Sequence, residues 1–375
     1  MRIAQVAPLY ESVPPRCYGG TERVVSYLTE ELVRQGHEVS LFASGDSVTT
    51  ARLVAPCRRS LRLDTQCIDQ LAHHILMLEL VLQEPGRFDL IHWHIDYLHF
   101  PLSQRQSTPH VTTLHGRLDI PDLLPLYQAF KAVPVISISN TQREPLPWLN
   151  WQDTVYHGLP EDLYTFHPEP GKYLAFLGRI SPEKRVDRSI AIAQRLGMEI
   201  KIAAKVDPVD REYFEAVIAP LLREPLVEYI GEVGETEKDE FLGHAYALLF
   251  PIDWPEPFGL VMTEAMACGT PVIAYRRGSV PEIIEEGVTG FIVQDMEEAV
   301  RAAERIPTLD RWRCRQRFEE RFSAARMARD YLASYQRLVE GALATQAAVI
   351  PDVSDSIRSA TRAGRPWNAG AAVVP

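Results

Sequence analysis

Short, almost uninterrupted apolar runs alternate along most of the chain with stretches whose apolar residues recur every three to four positions. In the first half the runs are RIAQVA, HEVSLFAS, FDLIHWH, HVTTLHG and AVPVISIS, with TVYH a weaker sixth. Runs apolar on both sides of the pleat predict strands buried on both faces, hence parallel sheets covered by helices. Between the first two runs, Val24, Val25, Leu28 and Leu32 fall on one helical face over about Thr21 to Gln35, and Gly36 supplies the stop.

The alternation stops at GLPEDLYTFHPEPGK, a polar stretch with three prolines and two glycines. It then restarts with strand KYLAFLG, helix KRVDRSIAIAQRLG, strand MEIKIAAK, helix PVDREYFEAVIAPLL and strand PLVEYIG. Helix EKDEFLGHA, strand YALLFPI, helix PFGLVMTEAMACG and strand TPVIAY follow, then helix VPEIIEEG, strand TGFIV and helix DMEEAVRAAERI. The predicted class is α/β: two doubly wound, Rossmann-like units over 1–160 and 172–310, joined by a linker at 161–171. Residues 311–343 read as helical and rich in Arg and Glu. From 344 to 375 periodicity is lost, as expected of a disordered tail. In such sheets a ligand lies beyond the carboxyl ends of the strands, so residues just after strands carry the functional information.

Charge narrows the range of partners. The 375 residues hold 39 Lys and Arg against 50 Asp and Glu, a net charge of −11. That leaves no broad basic surface for nucleic acid, so a bound anion must be held by a few local cations or backbone dipoles. Five scattered cysteines, Cys17, Cys57, Cys67, Cys268 and Cys314, make neither a disulfide framework nor a zinc motif. The opening MRIAQVAPLY reaches Pro8 before a signal-peptide core can form, and GLVMTEAMACGTPVIAY is too short and carries Glu264. A cytoplasmic protein is the expectation.

The most informative segment is DWPEPFGLVMTEAMACGTPVIA. Glu256 lies in a post-strand loop and Glu264 eight positions later, on a helix that is apolar nearly all round. A carboxylate on such a helix needs hydrogen-bond donors, either from the fold or from ligand hydroxyls such as those of a ribose. The amides of Phe258, Gly259 and Leu260 are expected to open this helix without intrahelical partners, an arrangement suited to phosphate. A second post-strand loop, GRISPEKRVD, places Arg179 and Lys184 five residues apart on the same predicted edge; with the helix end they suffice to offset a diphosphate. No Asp-x-Asp pair ends a strand, so no metal is expected. CYGGTERVV puts Gly19 and Gly20 at the first strand-to-helix turn, while the G-x-G-x-x-G and P-loop signatures are absent. His92, His94 and His115 end neighbouring strands at a spacing that matches no zinc site. His92 reads as a packed histidine, and His115, before Gly116, as the ring open to the cleft.

Together, YGGTE, GRISPEK and EPFGLVMTEAMACGTPVIA, followed by GSVPEII, resemble the family 4 retaining glycosyltransferases of the GT-B fold over roughly residues 1 to 340. Within that family the likeness is to a branch containing an enzyme of oligosaccharide-antibiotic assembly. The resemblance implies a nucleotide-sugar donor on the second domain, a sugar, small-molecule or lipid-linked acceptor on the first, and no cofactor or metal. It implies that Arg179 and Lys184 stabilise the departing diphosphate and that Glu256 holds donor-sugar hydroxyls. The amides at Phe258 to Leu260 would hold sugar and phosphate, and Glu264 the ribose. Gly19 and Gly20 would close over the phosphate, and His115 would touch the donor sugar. His157-Gly158 stands where the family often has Asn-Gly, and a last helix over 323–343 would cross back to the first domain. An NDP-sugar 2-epimerase and a non-catalytic sugar-nucleotide-binding protein share this architecture. A glucan synthase or phosphorylase-like enzyme would call for a pyridoxal lysine or a polymer groove, and neither is seen. RRSLRL and PLPWLNW are candidate acceptor loops, and Arg58, Arg59 and Arg62 allow at most a peripheral membrane contact.

Overall fold

The computed structural model describes residues 1–16, 19–83 and 86–349, with the side chains of 345–349 excepted. Seven strands form the first sheet: β1 (Arg2–Val6), β2 (Glu38–Phe42), β3 (Arg52–Val54), β4 (Leu90–Trp93), β5 (His110–Thr113), β6 (Val135–Ser137) and β7 (Trp151–Thr154). Six form the second: β8 (Tyr173–Arg179), β9 (Ile200–Lys205), β10 (Val227–Gly231), β11 (Ala245–Phe250), β12 (Val272–Tyr275) and β13 (Gly290–Val293). Spatial orders are β3-β2-β1-β4-β5-β6-β7 and β10-β9-β8-β11-β12-β13, with every pairing parallel. Both sheets are covered on both sides, which is why their strands read as continuous apolar runs. Along β1, Ile3 packs with Val24 and Leu28 on one face, whereas Ala4 and Val6 pack with Phe42 and Trp93 on the other.

Strand order reverses between β1 and β4 and again between β8 and β11. The crevice beyond such a reversal is where doubly wound sheets bind ligands. The loops leaving β1, β4, β8 and β11 therefore face one another across the gap between the sheets.

The chain passes between the two sheets twice. Residues 155–172 lead into β8, and after the helix Arg311–Phe322 the chain returns as the helix Ala324–Val349. The two passes are stitched together: Leu159 N–H donates to the Phe322 carbonyl at 2.9 Å, and Ala324 N–H to the Leu159 carbonyl at 2.7 Å. A Cβ on Gly158 would stand 2.3 Å from the Ser323 carbonyl oxygen, so only glycine allows this approach. Tyr331 and Tyr335 of the returning helix are fully buried and hydrogen-bonded to Thr113 and Gln5 of the first sheet.

Several local expectations need correction. The sixth run pairs as β7 over Trp151–Thr154, a few residues earlier than TVYH. The helix expected over 208–222 is broken into a 3-10 turn, two short α-turns and, between them, a π-helical stretch, Phe214–Ile218. Pro220 explains the break, because its ring crowds the carbonyl four residues earlier and it has no N–H to donate. Helical structure continues through 344–349, where Ala-rich sequence favours it, so the expected tail begins too early. Its remainder, 350–375, and Cys17 lie outside the described residues.

Candidate active site

A cleft of about 690 Å³ opens between the carboxyl edges of the two sheets. All ten residues singled out from the sequence line it: Arg179, Lys184, Glu256, Glu264, Phe258, Gly259 and Leu260 from one side, Gly19, Gly20 and His115 from the other.

The second sheet supplies the charges. Arg179 ends β8 and Lys184 lies on the turn that follows, while Glu256 is on the loop after the neighbouring β11. Lys184 Nζ donates to Glu256 Oε2 at 2.5 Å and stands 5.0 Å from the centre of the Trp254 ring. Arg179 donates to Asp207 at 3.2 Å and to Glu183 at 3.4 Å, and Lys205 pairs with Asp207 at 2.9 Å. Burial works against the Asp207 carboxylate, but the hydrogen bonds from Lys205 and Arg179 outweigh it and hold its pKa below the usual range. Asp207 is a site residue that the sequence did not reveal. Its partner Arg179 lies 28 positions earlier and meets it because β8 and β9 are paired, Arg179 opposite Lys205.

The helix after β11 spans Leu260–Ala267 with Gly259 as its cap, in the left-handed region at φ 82°. A side chain there would be strained, and its Cβ would stand 2.8 Å from Met262 Cε. The opening amides are therefore those from Leu260 onward. Phe258, expected to contribute an amide to the helix end, precedes the cap. Its ring is buried against His157 at 4.8 Å, and its carbonyl accepts from Ser279 at 2.7 Å. Gly20 begins the opposing helix Gly20–Arg34, and a Cβ there would lie 3.6 Å from Leu260 Cδ1. Two helix N-termini, one from each sheet, thus converge on the same space, both with their positive ends inward. Gly19 caps its helix at φ 151°, with Pro15 only 2.8 Å from where a Cβ would be.

Glu264 is 3% exposed. Its carboxylate takes a hydrogen bond from Lys238 Nζ at 2.7 Å, so the fold supplies one donor while the group still borders the cleft. Glu235, one turn before Lys238, accepts from Tyr164 and forms an ion pair with Arg23 of the first domain. Lys238 also went unrecognised in the sequence. The available signal was that it shares a helical face with Phe241 and Leu242, at i+3 and i+4, so this lysine had to be buried and paired.

On the first sheet, four imidazoles stack inward from the cleft. His115 Nε2 and His94 Nδ1 are 2.8 Å apart, His94 Nε2 and Gln5 Oε1 2.8 Å, and the His115 ring stacks on His157 at 5.2 Å. His92 is the packed, hydrogen-bonded ring expected, held by Thr113 at 2.7 Å and by Tyr335 at 2.6 Å. Burial keeps all four neutral: His92, His94 and His157 fall well below their ordinary value and His115 to about 3. Among the described residues no group of three or more His, Cys, Asp or Glu is arranged to hold a metal ion. Of the candidate acceptor loops, Arg62 reaches the cleft and pairs with Glu11 at 2.9 Å. Trp148 and Trp151 do not line it, and Trp151 is instead tied to the Leu146 carbonyl at 2.9 Å.

Asp96 is the remaining cleft residue of note. It follows β4 in the left-handed region at φ 49°, a conformation that strains most side-bearing residues and that Asp tolerates better than most. Burial lifts its carboxyl to about 6, partly offset by the His115 backbone N–H. A carboxyl whose folded pKa exceeds its unfolded one stabilises the fold most below pH 4, and that stability is lost as pH rises through 6. Asp96→Asn keeps the backbone geometry and removes this cost. The variant should melt a few degrees above the parent at pH 7.5 and level with it near pH 4. The gain is at most about 3 kcal/mol, reduced by the carboxyl's access to cleft water. Equal melting temperatures at pH 7.5 would show that the carboxyl is well solvated.

Two Rossmann-like sheets facing a cleft, with cations, carboxylates and helix N-termini on its walls, define the GT-B class of group-transfer enzymes. Comparison with known proteins agrees. Residues 18–151 match the family described as Glycosyltransferase Family 4, and residues 165–321 the one described as Glycosyl transferases group 1. The chain belongs to the family 4 GT-B glycosyltransferases and is a glycosyltransferase. An uncharacterized glycosyltransferase of Methanocaldococcus jannaschii is 26% identical, over 78% of this chain and 85% of its own length. AviGT4, a glycosyltransferase involved in avilamycin A biosynthesis, superposes with a TM-score of 0.71 over 91% of this chain and 98% of its own, at 23% identity. Anabaena HepE, solved in complex with UDP and glucose, gives a TM-score of 0.69 over 90% and 100% of the two chains, at 18% identity. Among the described residues no helix is long and apolar enough to cross a membrane.

Proposed function

We propose that the chain moves a hexosyl unit from a nucleoside-diphosphate sugar, a UDP-sugar in preference, to an acceptor hydroxyl, with retention of configuration and no requirement for a metal ion. The observation that carries this reading is the convergence of Arg179, Lys184, Glu256 and Glu264 on one wall of one cleft, beside the open amides at Leu260. Lys184 and Arg179 are each held by carboxylates within hydrogen-bond distance, so both cations stand ready and need only exchange partners when phosphate arrives. Once Lys184 turns to the diphosphate, Glu256 is released to accept from sugar hydroxyls. Glu264, steadied by Lys238, takes the ribose hydroxyls.

In the step itself the sugar C1–O bond to the β-phosphate breaks and a bond from C1 to the acceptor oxygen forms on the same face. The acceptor proton passes to the departing phosphate oxygen, giving the nucleoside diphosphate and the glycoside. The protein contributes position and charge: two cations and a helix end that stabilise the leaving group as its charge grows. The known complex of HepE with UDP and glucose supports the choice of donor by likeness of fold.

A thermal-shift panel of UDP-, GDP- and ADP-sugars in the presence of a chelator tests the reading. A true donor at a hundred times its Kd stabilises by about 2.7 kcal/mol, and the UDP-sugars should give the largest shift. A flat response to all three nucleotides would overturn it.

A further inference from the structure

The chain of contacts behind His115 runs in one direction. His94 Nε2 faces the Gln5 amide oxygen at 2.8 Å, and an amide oxygen only accepts, so the His94 proton is on Nε2. A neutral ring has one proton, which leaves His94 Nδ1 bare. His115 Nε2, 2.8 Å from it, must then donate. His115 is neutral too, so its Nδ1 is a bare acceptor. That atom is enclosed and has no hydrogen-bond partner among the described residues, while its ring lines the cleft. At the far end of the chain Gln5 Nε2 donates to the Tyr335 hydroxyl at 3.2 Å, and that hydroxyl lies 2.6 Å from His92 Nδ1. The Gln5 amide thus bridges His94, on its oxygen side, and a residue of the returning helix, on its nitrogen side.

We propose that Gln5 and His94 are positioning residues that lock His115 in its Nε2–H form, so that His115 Nδ1 accepts a hydrogen bond from a hydroxyl of the transferred sugar. This rests on the proposed transferase reading, together with the contact to the donor sugar that the family resemblance implies for His115. A bare nitrogen attracts neither phosphate nor carboxylate, so the chain selects a hydroxyl at this point of the cleft. It also ties that choice to Tyr335, on the helix whose packing depends on the other half of the molecule. Gln5 is the one polar side chain between Ile3 and Ala7 in the apolar run of β1, and its full burial now has a use.

Nitrogen-15 NMR of the histidine-labelled full chain reads the proton positions directly. In the parent, His115 should show a bare Nδ1 and a protonated Nε2. Gln5→Met removes the acceptor and should give a tautomer mixture, whereas Gln5→Glu restores an oxygen and should restore the single form. Titration with UDP-glucose supplies the functional arm. A tautomer present half the time doubles the apparent Kd, so Gln5→Met should bind about twofold more weakly. His115→Ala, which loses the hydrogen bond itself, should bind about fivefold more weakly. Thermal melts of each variant separate misfolding from loss of the lock. A protonated Nδ1 in the parent, or an unchanged single tautomer in Gln5→Met, overturns the proposal. If the tautomers behave as stated but His115→Ala binds UDP-glucose as tightly as the parent, it is the assignment of His115 to the sugar that fails.

Discussion

Lys184→Ala should lower kcat for donor turnover by about a hundredfold or more while leaving the melting temperature nearly unchanged. The rate loss follows from the role of the ammonium group. It lies in a partly dry cleft between Glu256 and the Trp254 ring, placed before the reaction begins, and removing one such preorganised donor costs roughly 10²–10³ in rate. The small effect on stability follows from position: Lys184 is on a surface turn after β8, and its carboxylate partner still reaches cleft water. Arg179→Ala should behave similarly, with little loss of stability because Asp207 keeps Lys205 as a partner. Release of nucleoside diphosphate from the donor chosen by the thermal panel, measured at saturation, decides the matter. Normal turnover by both variants would mean that the diphosphate is held elsewhere.

The second large effect concerns acid. His92, His94, His99, His115 and His157 are all held neutral by burial, His99 between Ser103 at 3.0 Å and Thr112 at 2.8 Å. A histidine whose folded pKa is depressed contributes stability above its unfolded value near 6.5 and loses it as pH falls towards the folded one. The unfolded chain takes up the proton first. Each ring then costs about 1.4 kcal/mol per pH unit below 6.5. All five act in the same direction, so their losses add as the pH falls below 6.5. The fold should therefore lose stability steeply as the pH falls from 6.5 to 5, against the opposite and smaller trend of Asp96, whose raised carboxyl favours the fold as the pH falls. Urea midpoints taken across pH 7.5 to 5 provide the check, and calorimetry in two buffers of different ionisation heat counts the protons. A midpoint that holds steady to pH 5 would show that these rings reach water.

What the sequence revealed and what it concealed divides along physical lines. Strands buried on both faces announce themselves, so β1, β4, β8 and β11 and the crevice they define were readable. The helix Gln70–Leu82 was not, because QLAHHILMLELVL is apolar on nearly every side and shows no face; its one local mark is the Asp69 cap. Strand β3 has three residues at the sheet edge, only partly covered, and leaves too short a run to detect. In the site, Glu264 was legible as a charge among apolar neighbours. Asp207 and Asp96 were not, since each is defined by a partner or a backbone angle that only the folded chain provides; Lys238 offered only its helical spacing to Phe241 and Leu242, and its partner Glu264 lies 26 positions away. The histidines were visible as a group, yet the direction of their hydrogen bonds depends on Gln5, 89 positions away from His94.

The paired passes of chain at Leu159 and Ser323 set limits on how the molecule moves. Two backbone segments bonded side by side, with no room for a side chain at Gly158, act as one pin. Sliding of one lobe past the other would shear those bonds, whereas rotation about them leaves them whole and loads instead the bonds that Asn140 and Thr141 donate to Glu282 across the same gap. The Arg23–Glu235 pair also joins the two lobes, so any widening of the cleft must part a guanidinium from its carboxylate.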